Sequence, residues 1–253
     1  MRSVVTIILI LLSCHLPAVA QSPQQMDDRM AYFLGRLNYL YSHADAMPGG
    51  ADSLENNNDL LIEYLEKTTI QQDTGLFYHF EQSIKSGLNV ATSSDSILRI
   101  YAWDRKDDPD REHIENIAAY MTYYNVRYTD LASLEKKGAA LCFFDTIVPV
   151  RTKEGNVYLS VYHRNSPSYA EGVKAYGLVE HKLARVPMFK DDTGTYSDLA
   201  YDYEPDSAKK PLLHFSDKHD KLYIPRIKDG IFTGKYVVYV FDGYKFAFDK
   251  NAR

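Results

Sequence analysis

The feature that most constrains the fold is an alternation of apolar and polar residues with a period of two, running from about Leu76 to the C-terminus. Successive side chains of a β-strand point to opposite faces of its sheet, so this alternation predicts many strands. In residues 97–103 it places Arg99, Tyr101 and Trp103 together on one strand face. The 21 tyrosines among the 253 residues agree with a β-rich chain, because aromatic residues favour strands.

Turn-forming residues divide the alternating region into hairpins. Turns are predicted at four places: residues 153–156, 180–182, 216–220 and 242–243. The last is the clearest, because Asp-Gly tolerates the positive φ angles of a type I′ turn. Residues 139–144 are apolar throughout, which is typical of a central strand buried on both faces.

The segment before the strands has helical periodicity. Residues 26–41 carry apolar side chains at three- and four-residue steps, which predicts an amphipathic helix. Asp27 and Asp28 should lie in its first turn, where negative charge favours the helix dipole. A second helix is predicted over residues 54–68 or 59–68, and residues 107–124 are compatible with either a helix or a strand.

The order of these elements predicts the fold class. The strand-helix-strand alternation of a parallel α/β fold is missing from the sequence. We therefore predict an α+β fold with an N-terminal helical hairpin followed by a predominantly antiparallel β meander. The expected organisation is a signal peptide (1–20), a helical segment (21–70) and an antiparallel β domain (71–253).

The first 20 residues have the order of a secretory signal peptide. One positive charge at Arg2 precedes an apolar run, and Ala18 and Ala20 supply a small-x-small cleavage pattern. The apolar run is shorter than the roughly 20 residues that a membrane-spanning helix needs. Leu12-Ser13-Cys14 also resembles a lipobox, in which Cys14 would become the lipidated first residue. Both interpretations predict export, and the choice between them stays open.

Export has consequences for the cysteines and for the charge. Without Cys14, Cys142 has no partner for an internal disulfide and is expected to pack as a small buried hydrophobe. Removal of Arg2 takes the formal net charge from −5 to −6, which disfavours nucleic acid or an anionic membrane surface as a partner. No later segment is long and uncharged enough to predict a transmembrane helix in the mature chain.

The stretch from Asp95 to Asp104 carries the most distinctive pattern, Asp-x-x-Leu-Arg-x-Tyr-x-Trp-Asp. It looks like one blade of a WD propeller, but the chain has a single tryptophan and propellers need repeats. The pattern resembles uncharacterised exported β-rich proteins of Gram-negative bacteria. The resemblance extends to residues 222–225 and 239–246, and it implies no activity.

Catalytic and metal motifs are weak. The densest polar cluster, Asp217, His219 and Asp220, fits a hairpin tip better than a zinc site, which needs three or four converging ligands. The aspartates of residues 104–110 lack the glycine and the closing glutamate of a calcium loop. Nucleophile elbows and phosphate-binding glycine loops are missing as well, so no cofactor or metal is predicted.

Two functional hypotheses follow. The first is a non-catalytic protein of the bacterial envelope that binds a ligand, such as a carbohydrate, or a protein partner through an aromatic sheet face. Arg99, Tyr101 and Trp103 would form that face, unless it packs against the helices or a second sheet. The second is a secreted hydrolase that uses aspartate, glutamate and histidine side chains.

Overall fold

The computed structural model describes residues 21–251 except 44–45, 48, 72, 109, 136–140, 166–167 and 205–211, with backbone alone at 69–71 and 73–74. The predictions for residues 1–20, including the lipobox at Cys14, lie outside the described residues and stay predictions. Among the described helices, none combines the length and the hydrophobicity that a bilayer crossing requires.

Two long helices form the N-terminal layer. Helix α1 spans Pro23–His43 and α2 spans Gly50–Gln71. A 3₁₀ turn at Asp73–Leu76 and the short helix α3 at Glu81–Lys85 lead into the sheets. Asp27 is buried, and its carboxylate accepts hydrogen bonds from backbone amides at the start of α3. Its charge therefore stabilises the N-terminus of α3 and not that of its own helix.

Sheet A follows the helices as a four-stranded antiparallel meander in the order β1-β2-β3-β4. Its strands are β1 (Asn89–Thr92), β2 (Leu98–Asp104), β3 (Ile114–Met121) and β4 (Val126–Asp130). The ambiguous region 107–124 therefore contains strand β3 and no helix in its described part, and Pro109 lies outside the described residues.

Sheet B forms the next layer, in the order β11-β7-β6-β5, with β8 also paired to β7. Its strands are β5 (Phe143–Thr152), β6 (Gly155–Arg164), β7 (Ala170–Val179), β8 (Lys182–Arg185) and β11 (Asp198–Asp202). The central strand predicted at residues 139–144 is wrong in its described part, because only Phe143 and Phe144 belong to a strand, and that strand, β5, is the last in the order of sheet B.

Sheet C forms the last layer, in the order β10-β9-β15-β14-β13-β12. Its strands are β9 (Phe189–Lys190), β10 (Thr195–Tyr196), β12 (His214–Phe215), β13 (Lys221–Lys228), β14 (Ile231–Phe241) and β15 (Phe246–Phe248). The pair β15–β9 is parallel, and the other pairs of this sheet are antiparallel.

Three hydrophobic clusters hold the layers in the order helices, sheet A, sheet B, sheet C. The first cluster packs the helices on Trp103, the second packs Leu98 against Tyr158, and the third packs Leu159 against Phe246. Sheet B is covered on both faces, which explains why eight consecutive residues of β7 are buried. The predicted α+β class, with two N-terminal helices before a mostly antiparallel β region, is confirmed.

A buried ion cluster ties the segment after β4 to sheet B. The carboxylate of Glu135, which follows a 3₁₀ turn at Leu131–Leu134, accepts hydrogen bonds from Lys174 (2.8 Å) and from Arg185 (2.7 Å). These three side chains are at least 85 % buried. Each charge has a partner, as buried charges require.

Candidate functional site

The residues predicted to form a ligand-binding face lie in the interior. Trp103 and Tyr101 have no exposed surface, and Arg99 is 5 % exposed. Their shared face of β2 packs beneath the helices, so the expectation of an exposed aromatic face at these three residues is corrected. The alternation placed them correctly on one face, but it did not reveal that the helices cover that face.

Hydrogen bonds from these three side chains fasten the N-terminal layer to sheet A. The Trp103 indole N–H donates to Asn58 Oδ1 in α2 (3.1 Å). The guanidinium of Arg99 donates to the backbone carbonyls of Gly75 and Tyr78, and the Tyr101 hydroxyl also donates to the Gly75 carbonyl. These contacts satisfy buried polar groups, which is a structural role.

The polar cluster at 216–220 forms the turn between β12 and β13, as predicted. The Asp220 carboxylate accepts a hydrogen bond from the Ser216 hydroxyl (2.7 Å), which lowers the pKa of Asp220. His219 has a positive φ of 54° and an exposed side chain. This arrangement stabilises a turn and holds its carboxylate in the charged form.

Three of the four aspartates of residues 104–110 pair with nearby basic side chains. Asp104 pairs with Lys106 (2.9 Å), and Asp108 pairs with Arg111 (2.6 Å). Asp107 contacts both Arg105 and His113. In the described parts of the chain, no group of three or more His, Cys, Asp or Glu side chains is arranged to hold a metal ion.

Cys142 is buried in the cluster between sheets A and B, as expected for a small hydrophobe. Burial raises the pKa of its thiol to about 12. The thiol is therefore protonated at physiological pH and is a poor nucleophile.

A cleft of about 660 Å³ lies at one end of the stacked sheets. Four turns from different parts of the chain surround it, namely β3–β4, β5–β6, β7–β8 and β14–β15. They contribute residues 121–123, 154–157, 177–179, 181 and 244–245. We call this feature the hairpin cleft.

The walls of the hairpin cleft are mostly apolar. They include side chains from sheets A and B and from the segment before β9, for example Met121, Val157, Leu178 and Met188. Gly177 belongs to one wall, and a Cβ at this position would lie 2.9 Å from Val186 Cγ1. Glycine therefore lets the segment after β8 close tightly against β7.

The floor of the cleft includes Tyr158, whose ring is buried. Its hydroxyl donates a hydrogen bond to Asp95 Oδ2 (3.2 Å). Burial raises the pKa of Tyr158, and the negative charge of Asp95 raises it further, so the hydroxyl stays protonated. Tyr158 is therefore an uncharged part of the floor.

Exposed aromatic rings stand at one side of the cleft. Tyr123 and Tyr124 are 88 % and 75 % exposed, the highest values among the large hydrophobic residues of the described chain. Their rings make an edge contact (5.2 Å between centroids), and the Tyr124 ring also contacts the His181 ring (5.5 Å). This rim presents aromatic surface to solvent at the entrance.

His181 stands on a strained turn. Val179 and Lys182 pair, so Glu180 and His181 form a two-residue hairpin turn in which both φ angles are positive. Such a type I′ turn favours Asn and Gly, and other residues adopt these angles at a cost of about 1 kcal/mol or more each. Strained residues of this kind often lie at functional sites.

The opposite rim joins two turns by contacts between them. The Lys153 amide donates to the Gly243 carbonyl (3.0 Å), and Lys153 Nζ lies 4.5 Å from the centroid of the Tyr244 ring. Asp242 accepts the backbone N–H groups of Lys245 and Tyr244, which lowers its pKa. Gly243, unlike Asp242, has a positive φ (95°), so the predicted type I′ turn centred on Asp242-Gly243 is wrong although the hairpin itself is present.

Part of the polar lining of the cleft already has partners within the chain. The Thr122 hydroxyl contacts the Asn125 backbone carbonyl, and His181 contacts the Tyr124 ring. Apolar walls, rings at the rim, and the charges of Glu154 and Lys245 remain available to a ligand. This lining supports non-covalent binding.

Comparison of the chain with protein-family models, with curated proteins and with solved structures gives no match. The resemblance to exported proteins of Gram-negative bacteria therefore stays a prediction.

Sequence reasoning missed the hairpin cleft because its residues are scattered over four turns. The one usable signal was the pair Tyr123-Tyr124, which occupies the β3–β4 turn where polar residues are usual.

Proposed function

We propose that this protein is a non-catalytic, exported binding protein of the cell envelope whose ligand enters the hairpin cleft. The observation that carries the proposal is an apolar cleft whose entrance presents the most exposed aromatic rings of the described chain. The proposed location rests on the signal peptide predicted at residues 1–20. The binding surface is thus aromatic, as the sequence led us to expect, but it is placed at the turns and away from β2.

The size and lining of the cleft support a small ligand with an apolar body. Its volume of about 660 Å³ lies within the roughly 300–1,000 Å³ of typical small-molecule sites. Apolar side chains from sheets A and B and from the segment before β9 line it, and burial of apolar surface is the main source of affinity in such pockets.

The rim supports a ligand that also carries a ring. Tyr123 on one side and Tyr244 on the other offer faces or edges to a second aromatic or sugar ring. An aromatic pair contributes about 0.5–1.5 kcal/mol beyond its buried area. Glu154 and Lys245 would then orient the polar end of the ligand.

A fluorescent probe with an apolar ring system tests the proposal. 1-Anilinonaphthalene-8-sulfonate, excited directly, should bind the native protein with one-to-one stoichiometry. Val179 lies at the cleft and is exposed, so Val179→Trp should block entry without disturbing the core and should weaken binding at least tenfold. Tyr123→Ala should weaken it by roughly 2- to 12-fold, the equivalent of one aromatic contact.

Tyr169→Ala is the matched control, because Tyr169 is an exposed tyrosine outside the cleft lining. It should leave the affinity of the probe unchanged, and circular dichroism should show that all three variants are folded. Equal probe binding by the native protein and by Val179→Trp would refute the assignment of the cleft.

A further inference from the structure

The outer face of the helical layer carries one basic and one acidic ridge. On α1, exposed side chains recur at steps of three and four residues: Arg29, Tyr32, Arg36, Tyr39 and His43. On α2, a second exposed row is acidic: Asp52, Glu55, Asp59 and Glu63. We call these rows the basic ridge and the acidic ridge.

Contacts along the basic ridge keep its side chains ordered. The Arg29 guanidinium lies 5.2 Å from the Tyr32 ring centroid, and Arg36 donates to the Tyr32 hydroxyl (3.4 Å). The rings of Tyr39 and His43 are stacked at 4.3 Å. Within the described residues, neither arginine forms a salt bridge with a carboxylate.

The acidic ridge is also largely unpaired. Glu63 contacts Lys67 on the same helix, whereas Asp52, Glu55 and Asp59 form no ion pair with the described part of the chain. One molecule therefore offers two neighbouring rows of opposite charge, each without a counterpart of its own. A surface of this kind is complementary to itself.

The two helices run antiparallel, and side-chain contacts fix their register. Gln21 before α1 contacts Tyr64 of α2 (2.6 Å), whereas Phe33, further along α1, accepts a hydrogen bond from Asn57 (3.0 Å). Because the Phe33 ring also contacts Tyr64 (5.8 Å between centroids), Phe33 lies level with the middle of residues 57–64.

We propose that this face binds a second copy of the same chain, with the basic ridge of each copy lying on the acidic ridge of the other. A two-fold axis parallel to the helices produces this arrangement. Rotation about that axis does not change the height of a residue along it, so equivalent residues of the two copies lie at the same height. With a rise of 1.5 Å per residue, three pairs of side chains then come within about one helical turn of the same height. These pairs are Arg29 with Glu63, Arg36 with Asp59, and His43 with Asp52.

The exceptions to the charge separation fit the same arrangement. Asp28 on α1 and Lys67 on α2 carry the opposite sign to their ridges, and they also come within about one helical turn of the same height. Exposed Tyr32, Tyr39 and Leu60 supply apolar contact between the charged pairs.

The size of the face predicts a weak dimer. Helices of 21 and 22 residues are about 32 Å long, and two side by side cover about 600 Å² on each copy. The total of about 1,200 Å² lies at the lower limit of stable interfaces. Exposed ion pairs dominate the contact, so salt should weaken it. This proposal is independent of the hairpin cleft.

Sedimentation equilibrium of the purified protein at low and high salt tests the proposal. The native protein should form a dimer whose dissociation constant rises with salt. A variant with Arg29→Glu and Arg36→Glu should associate at least roughly tenfold more weakly, because like charges then oppose each other. A variant with Asp59→Lys and Glu63→Lys should behave in the same way.

An equimolar mixture of the two variants is the decisive measurement. In the mixed dimer, the now acidic α1 of the first variant contacts the now basic α2 of the second variant. The two unchanged helices, the acidic α2 of the first variant and the basic α1 of the second, contact each other as in the native dimer. The mixture should therefore form a heterodimer although each variant alone is monomeric. Lys218→Glu with Lys228→Glu, an equal charge change on exposed lysines of sheet C, is the control and should dimerise normally.

Three results would overturn the proposal. They are a native protein that stays monomeric at low salt, charge variants that dimerise as the native protein does, and a mixture of the two variants that remains monomeric. Circular dichroism of each variant distinguishes loss of association from loss of fold.

Discussion

Replacement of Trp103 by alanine tests whether this side chain has a structural role in the interior or a binding role at the surface. The indole has no exposed surface and packs in the cluster between the helices and sheet A. Its N–H donates to Asn58 Oδ1, and the amide nitrogen of Asn58 donates in turn to the Leu54 and Arg105 carbonyls. The substitution therefore removes a large core side chain and one end of a buried hydrogen-bonded chain.

The expected loss of stability is large. Removing a buried Trp or Phe side chain costs about 3–5 kcal/mol, because the lost burial is compounded by the cavity left behind. Domains are stable by about 5–15 kcal/mol, so Trp103→Ala should remove a third or more of a typical margin. For a chain of this size, the melting temperature should fall by about 10 °C.

Urea unfolding followed by far-ultraviolet circular dichroism measures the effect, since Trp103 is the single tryptophan and its fluorescence is lost in the variant. Trp103→Phe keeps most of the ring but leaves Asn58 Oδ1 without its donor, and should cost about 1–3 kcal/mol. Phe77→Ala, at an aromatic residue that is 61 % exposed, should change stability by less than about 0.5 kcal/mol. Loss of less than about 1 kcal/mol in Trp103→Ala would refute the interior position.

Three further predictions concern buried and titrating groups. Glu135→Ala leaves the buried cation Lys174 without its carboxylate and leaves Arg185 with the more distant Asp198 alone (3.4 Å), and it should cost about 3–5 kcal/mol in urea unfolding. An unchanged midpoint would contradict the ion cluster. The pKa of Cys142 is raised to about 12, so its thiol should resist iodoacetamide at pH 8 and react only in denaturant, as measured by mass spectrometry of its peptide. Labelling of the native protein would contradict its burial. The pKa of Asp242 is lowered, first by the Lys245 N–H and then by the Tyr244 N–H, so its charge stabilises the folded turn above about pH 4, near the unfolded pKa. That contribution is lost as the pH falls through the lowered pKa. Asp242→Asn should therefore make the urea midpoint fall less steeply as the pH is lowered from 5 to 2. An unchanged dependence of the midpoint on pH would contradict this prediction.

Local periodicity predicted the elements well. The apolar spacing of residues 26–41 corresponds to α1, which extends a few residues further at both ends. Predicted turns at 153–156, 180–182 and 216–220 all join paired strands in the structure. These successes share one cause, because the backbone preferences of a turn or a helix depend on residues close together in the sequence.

Predictions that depended on partners from other parts of the chain were less successful. Asp27 suited the first turn of α1, yet it caps α3 because the tertiary packing brings that helix beside it. For residues 98–103, the alternation cannot distinguish a half-buried strand from one covered on both faces when the second face consists of Arg, Tyr and Trp. Those amphipathic side chains suit solvent, and they suit an interior that offers hydrogen-bond acceptors equally well.

The sequence by itself determined that this chain forms two helices followed by antiparallel hairpins, and that Arg99, Tyr101 and Trp103 share one face of β2. Only the tertiary structure decided that this face lies under the helices, and that sheet B is covered on both sides. It also decided where aromatic rings meet solvent, because the hairpin cleft combines four turns separated by about 30 to 60 residues each. The physical reason is that alternation fixes the direction of a side chain relative to its own strand, whereas burial depends on which layer packs against that strand.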